Sequence, residues 1–297
     1  MTDRLKDINH RIQRSSPART VGRELLTREY AISPAGGSIT GLIDRALVYV
    51  NADKAERNES VEATVDLFFQ LAMTSSAARF LEVGAKEATA SVRAAKTLGI
   101  DDVRAFEANP YTYERFAKHH ADTGVDYQHL AVGEEVSTIE FNVRLTDQGQ
   151  PRADGQGSML RRSNYKPGYV TASVECVPLD EVLRGEPAVP TAMWIDVEGA
   201  SSAVLRGAVD TLRSVVAIII EVETRRVWDQ QEWLHLDIVR FLAEHGLVPV
   251  ARDRQSRHQF NVVFVPRGSV DDRTRERLAE WRKRVRRARS YDDQRKG

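Results

Sequence analysis

The sequence predicts an α/β fold: a mostly parallel β-sheet covered by helices on both faces and finished by an antiparallel hairpin. Three observations predict it. From Arg79 onward, short apolar runs alternate with segments of helical periodicity, the pattern of βαβ units. Residues 216–220 are apolar throughout, as a strand buried on both faces requires. Near the end, two apolar runs at 247–251 and 260–265 flank a polar stretch. Pro249 confines the first of them to a sheet edge, because proline cannot donate a ladder hydrogen bond.

The elements follow in order. Residues 1–16 are polar. Ile39, Leu42, Ile43, Ala46, Leu47 and Val50 recur at helical spacing after Ser38. Val61, Val65, Phe68, Phe69 and Ala72 do so after Ser60, each serine standing where an N-cap belongs. The charged stretch NADKAERNES between them reads as a loop. Strands are expected at 80–83, 103–106, 127–132, 193–197 and 215–222, and helices at 88–98, 111–122, 201–212 and 231–245. Gly246 suits the left-handed residue that ends the last of these. Residues 144–168 are polar and rich in Gly and Arg, and a loop of that length is usually functional or disordered. From Ser269 a highly charged helix carries Leu278, Trp281 and Val285 on one stripe, and a solvated terminal helix is the expected reading. The expected division is a helical region at 1–77, the α/β domain at 78–268 and the charged tail at 269–297.

Composition narrows the function. The 297 residues hold 43 Lys plus Arg against 43 Asp plus Glu, so bulk charge does not point to nucleic acid or an anionic membrane. The single cysteine, Cys176, excludes an intrachain disulfide framework or a cysteine-rich zinc site and fits a cytoplasmic protein. The longest apolar run, 215–220, is far short of the ~20 residues that span a bilayer. The first residues, MTDRLKDINHRIQ, lack the apolar core of a signal peptide.

The chemistry resides in four motifs. In FLEVGAKEATAS an apolar strand ends in Glu82, turns at Gly84 and Ala85, and opens a helix whose free N–H groups suit an anion. In RAFEANP, Glu107 ends the next strand about 20 residues on, where a nucleotide-binding βαβ unit places the acid that accepts ribose hydroxyls. WIDVEGASSAVLRGA puts Asp196 and Glu198 at a strand's carboxyl end, where open α/β sheets bind ligands. IIIEVET puts Glu221 and Glu223 at the end of its neighbour, with Arg225 and Arg226 as partners if that end is solvated. Cys176 and His119, His120 and His129 read as packing or surface residues, and His235 has only a weak claim on the pocket.

Taken in order, LEVGA, AFEANP with the later LAVGE, the serine of GQGSML, and IDVEGASSAVLRGA with IIIEVE resemble the FkbM family of S-adenosylmethionine (SAM)-dependent methyltransferases over about residues 79–265. The resemblance implies the class I methyltransferase fold, a Rossmann-like seven-stranded sheet, with SAM as cofactor. It also implies O-methylation of a hydroxyl on a glycan or a small secondary metabolite. By motif, Glu82, Gly84 and Ala85 match the SAM loop and Glu107 the ribose acid, with Ala108 and Asn109 flanking the adenine. Ala131, Val132 and Gly133 match the block beside the adenine pocket, and Asp196, Glu198 and Gly199 the acidic motif of the reacting centre. Asp196 is expected as the base or as part of a divalent-metal site, with Glu198 orienting it.

Ser158 and Glu221 are expected at the acceptor, with loop 144–168 as a lid whose Arg161 and Arg162 face an acidic sugar. The tail stripe is compatible with a homo-oligomer. Three positions depart from the family pattern: Lys86 replaces an Asn, Ala88 a second Gly and Ser201 a Glu. Lys86 has the charge to pair with the methionine carboxylate of SAM. The departures also admit a SAM-binding module that regulates a partner without chemistry. A nicotinamide oxidoreductase ranks below both, since Lys86 stands where G-x-G-x-x-G needs its second glycine.

Overall fold

The computed structural model describes residues 53–162 and 164–293. The helix expected at 39–50 lies outside them. The described chain opens with helix α1 (Lys54–Thr74). Asp53 caps it: its carboxylate accepts the Glu56 N–H at 2.9 Å, and the Glu56 carboxylate accepts the Asp53 N–H at 3.0 Å. This capping box starts the helix ahead of Ser60, so most of the stretch read as a charged loop is helical. Ser60 is buried inside the helix and accepts the Arg254 N–H at 2.8 Å.

The next elements are β1 (Arg79–Val83), α2 (Thr89–Leu98), β2 (Asp102–Glu107), α3 (Pro110–Phe116), β3 (Asp126–His129), β4 (Ala131–Val132), β5 (Ser137–Arg144) and β6 (Tyr169–Val177). Then follow α4 (Leu179–Val182), β7 (Thr191–Ile195), α5 (Ser201–Arg206), β8 (Val215–Glu223), α6 (His235–Glu244), β9 (Leu247–Arg252), β10 (Gln259–Pro266) and α7 (Asp272–Asp293). Among the described residues, one seven-stranded sheet has the order β3-β2-β1-β7-β8-β10-β9. Its first five strands pair in parallel, and β10 runs antiparallel to both neighbours. The hairpin strand that holds Pro249 is the edge, as its proline requires. The order reverses between β1 and β7, and a crevice opens at such a switch point beyond the carboxyl ends of the strands.

Alternation along each strand feeds two cores. Phe80, Ala105, Ala192 and Ile219 face α1, α2 and α7, while Leu81, Phe106, Met193 and Ile218 face α5 and α6. The tail helix is not solvated along its stripe. Leu278 and Val285 are buried, and the Trp281 indole N–H donates to Thr64 Oγ1 at 3.1 Å. Arg284 pairs with Glu59 and Asp66 of α1. The apolar stripe is therefore taken up within this chain.

The strands β5 and β6 went unpredicted. With β4 they form a separate three-stranded sheet among the described residues. Their outer face is exposed, so polar residues interrupt the apolar pattern that marks a buried strand. The strand expected at 127–132 divides between the two sheets. The predicted loop 144–168 joins β5 to β6 and is pinned by its own backbone, with Asn142 and Ser158 exchanging hydrogen bonds at 2.9 and 3.1 Å. No described helix is long and apolar enough to cross a membrane.

The docking of α7 is testable. Leu278→Ala is expected to lower the unfolding free energy by about 2–4 kcal/mol in denaturant titration, as for a fully buried leucine. A loss below ~0.5 kcal/mol, typical of a surface position, would contradict the packing.

Candidate active site

The sequence expectations converge at the carboxyl ends of β1, β2, β7 and β8. A cavity of about 450 Å³ there is lined by Gly84, Glu107, Ala108, Ala131, Val132 and Asp196, all anticipated, and by Val83, Phe106, Leu130, Phe141, Gly155, Gly157, Met159, Val197 and Ala200, which were not. A second cavity of about 660 Å³ is lined by Glu82, Gly84, Ala85, Lys86 and Asp196, together with Val65 and Phe69 of α1 and Arg93 of α2. Gly84 and Asp196 line both cavities.

The Gly84 turn is shaped by contact. Its φ is +79°, and a Cβ there would lie 1.8 Å from the Asp196 carbonyl oxygen, so only glycine fits. Lys86 and Ala88 have φ of +50° and +51°. The two departures from the family motif thus keep a left-handed backbone, at a cost of about 1–2 kcal/mol per residue for a side chain there. Hydrogen bonds hold it. The Gly84 and Ala85 N–H groups donate to the Phe106 carbonyl at 3.0 and 2.9 Å. The Lys86 N–H donates to Glu107 Oε2 at 2.6 Å, and the Tyr127 hydroxyl donates to the Lys86 carbonyl.

Glu107 therefore gathers the loop as well as lining the cavity. Its Oε1 accepts the Asn109 N–H at 2.7 Å, and each oxygen keeps a further lone pair. Asn109 itself caps α3, accepting the Tyr111 N–H at 3.0 Å, and does not line the cavity. Glu82 is buried and accepts the Ser91 N–H and hydroxyl at 2.7 and 2.5 Å. Lys86 extends its half-exposed amine to 3.9 Å from Glu87, and its stem packs under Gly155 of the long loop.

Strand β7 ends at Ile195, so Asp196 and Glu198 lie in the following turn. Glu198 has φ +49° and Gly199 φ +90°. Ser158, expected at the acceptor, is buried and donates to the Glu198 carbonyl at 2.8 Å, bracing this turn. Glu221 and Glu223 are not solvated. Glu221 accepts from Gln259 at 2.7 Å and Glu223 from Gln231 at 2.9 Å, in place of the arginine partners considered above. Arg161 is committed to Asn142 Oδ1 at 2.7 Å, leaving Arg162 as the available member of that basic run.

Burial dominates the electrostatics. It pushes the carboxyls of Glu82, Glu107, Glu198 and Glu223 each up to about 7. Burial also raises Asp196 and Glu221. A hydrogen bond from Glu221 draws Asp196 back down, while the charges of Asp196 and Glu198 drive Glu221 further up. Both carboxyls are thus held above their ordinary range, Glu221 with the added repulsion of its two acidic neighbours.

No group of three or more His, Cys, Asp or Glu side chains is arranged to hold a metal among the described residues. His120 packs on Tyr127 and His129 on Tyr113. His235 is packed against Phe260, and burial pushes its pKa down to about 4.

The raised carboxyls predict a pH dependence. A glutamate that titrates near 4.5 unfolded and about 7 folded is protonated in both states at low pH and ionised in both at high pH. Stability is therefore lost as pH rises from about 4.5 to about 7, by on the order of 3 kcal/mol per such group. Melting temperatures are expected to be higher at pH 5 than at pH 8. Glu82→Gln, which keeps an acceptor for Ser91, should raise the pH 8 value and leave the pH 5 value unchanged. Equal shifts at both pH values would refute the assignment.

The family model for the methyltransferase FkbM domain matches residues 82–249. The search of curated proteins returns no match. Among solved structures, the chain is similar to a methyltransferase FkbM from Methylobacillus flagellatus KT, with TM-score 0.41 and 11% identity over 76% of this chain and 57% of that one. It is similar to magnesium protoporphyrin IX methyltransferase from Synechocystis PCC 6803, a structure with bound SAM, with TM-score 0.40 and 8% identity over 84% and 97%. For precorrin-6y C5,15-methyltransferase from Geobacter metallireducens GS-15 the values are 0.35 and 12% over 66% and 86%. The chain spans little more than half the length of the Methylobacillus protein, 57%. With the family match covering more than half of its residues, the chain belongs to the FkbM family of SAM-dependent methyltransferases.

Proposed function

We propose that this protein transfers the methyl group of SAM to a hydroxyl oxygen of a small-molecule or glycan acceptor, with Asp196 as the general base. The observation that carries the reading is that Gly84 and Asp196 line both cavities, which joins the recess walled by Glu107, Ala108, Ala131 and Val132 to the one walled by Glu82, Lys86 and Arg93. The residues suit the cofactor. Glu107 offers carboxylate lone pairs to a ribose diol, Ala108, Ala131 and Val132 offer a small apolar wall to an adenine, and Lys86 offers a cation to a carboxylate. When bound, SAM supplies an electrophilic methyl on a sulfonium.

The protein's own part is positioning and proton transfer. An acceptor hydroxyl beside Asp196 must be aligned within ~3–3.5 Å of the group it attacks. As the new bond forms, the Asp196 carboxylate takes the hydroxyl proton. Burial raises its basicity, and Glu221 stands beside it. Ser158 fixes the turn that holds both acids, and Glu198 orients the base. Helix α1 and the loop carrying Gly155, Gly157 and Met159 wall off water.

Asp196→Asn is expected to cut turnover by ~10²-fold or more, the usual contribution of a general base, with S-adenosylhomocysteine affinity within about threefold of wild type. Methyl-labelled SAM and a panel of hydroxylated acceptors provide the assay. Wild-type turnover in this variant would remove Asp196 from the chemistry. Glu107→Ala should weaken S-adenosylhomocysteine binding by about tenfold or more in titration calorimetry, the worth of a charged hydrogen bond. Binding of that product without transfer to any acceptor would assign the chain as a regulatory SAM-binding module instead.

A further inference from the structure

Beside the acidic turn, Arg162 of the basic run stands with a second, buried arginine. Arg144, at the end of β5, is 5% exposed. Its Nη1 donates to Gln156 Oε1 at 2.6 Å, while its buried Nε and Nη2 have no hydrogen-bond partner among the described residues. These two nitrogens direct their hydrogens from one edge of the planar guanidinium, the edge that takes a carboxylate or phosphate by two parallel hydrogen bonds. A buried guanidinium with that edge unpaired is a costly arrangement. The buried Nε of Arg162 is also without a hydrogen-bond partner among the described residues.

Trp228 holds the two arginines together. It is 2% exposed, and the guanidinium carbons of Arg144 and Arg162 each lie 5.3 Å from its ring centroid. Tyr165 backs Arg144 at 4.8 Å. The indole in turn rests on Gly199, where a Cβ would come within 2.4 Å of the ring. The cluster is thereby built onto the turn that carries Asp196 and Glu198. Glu198 feels the charge of both arginines, yet neither is ion-paired among the described residues. What is missing is an acceptor-only group, and the acidic turn cannot supply a second one without adding to its own repulsion.

We infer that Arg144, Arg162 and Trp228 form an oxyanion subsite for the acceptor, so that the molecule methylated carries a carboxylate or a phosphate ester close to its reacting hydroxyl. The inference rests on the methyl-transfer reading of the same site and names its substrate class. The guanidinium edge holds the anion, the buried indole keeps the two arginines in place, and the turn below brings the acceptor hydroxyl to Asp196. The neutral bulk composition conceals this local charge.

Binding of D-glucuronate, glucose 6-phosphate and neutral D-glucose to the full chain, saturated with S-adenosylhomocysteine, tests it. At least one anion is expected to bind about tenfold more tightly than glucose, and which one does so separates a carboxylate from a phosphate ester. Arg144→Lys keeps the charge and loses the two-point edge. It should lose that preference while S-adenosylhomocysteine affinity, measured alongside as a check on folding, changes by less than about twofold. Arg162→Gln, at a half-exposed position, should weaken the anion by about threefold or more. Glucose binding as tightly as both anions, or anion affinity unchanged in both variants, would overturn the subsite. Anion preference in a chain that fails to bind S-adenosylhomocysteine would instead defeat the methyl-transfer reading and leave the subsite standing.

Discussion

The backbone of Gly84 lies so close to the carbonyl oxygen of Asp196 that no side chain fits between them. This contact sets the rest of the site. It brings the turn after β1 against the turn after β7, where the strand order reverses. The Asp196 N–H closes the same junction by donating to the Val83 carbonyl at 2.9 Å. Because the two turns touch, one residue from each, Gly84 and Asp196, lines both cavities.

The second constraint is electrostatic. Four strand ends bring Glu82, Glu107, Asp196, Glu198, Glu221 and Glu223 to one edge of the sheet, and burial works against the ionised form of each. The protein answers with hydrogen-bond donors more than with counterions: Ser91 for Glu82, backbone N–H groups for Glu107, Gln259 for Glu221 and Gln231 for Glu223. Such pairing offsets only part of the burial, and Glu82, Glu107, Glu198 and Glu223 each stay raised to about 7.

The altered first motif shows how a local rule is broken without loss of shape. Lys86 and Ala88 occupy left-handed backbone where the family carries Asn and Gly. Three surrounding restraints hold that conformation: Glu107 on the Lys86 N–H, Tyr127 on the Lys86 carbonyl, and the Ala88 N–H on the Ala85 carbonyl at 2.6 Å. Strained residues persist where neighbours over-determine them, and they cluster at ligand sites. Gly155 of the long loop rests on the Lys86 stem, so the swap also supplies a surface for the covering segment.

The sheet, its edge hairpin and the order of its acids were legible in the sequence, because strand burial imposes a period of two and a parallel sheet needs continuous apolar runs. Gly84, Glu107 and Asp196 were legible for a related reason: they end strands, and strand ends are where such sheets bind. The helix start at Asp53 was legible in principle, since Asp53 and Glu56 have capping-box spacing, but the charged stretch around them masked it. Tertiary structure alone decided the rest. Strands β5 and β6 have an exposed face that erases the apolar signal, and Ser158 serves the Glu198 turn only because Asn142 holds it there. Arg144 and Trp228 meet beside Gly199 through no local pattern, because they are far apart in the chain and only packing brings a guanidinium to an indole. Sequence periodicity records which face of an element is dry; which side chains meet across elements depends on the packed interior, and no single segment encodes that.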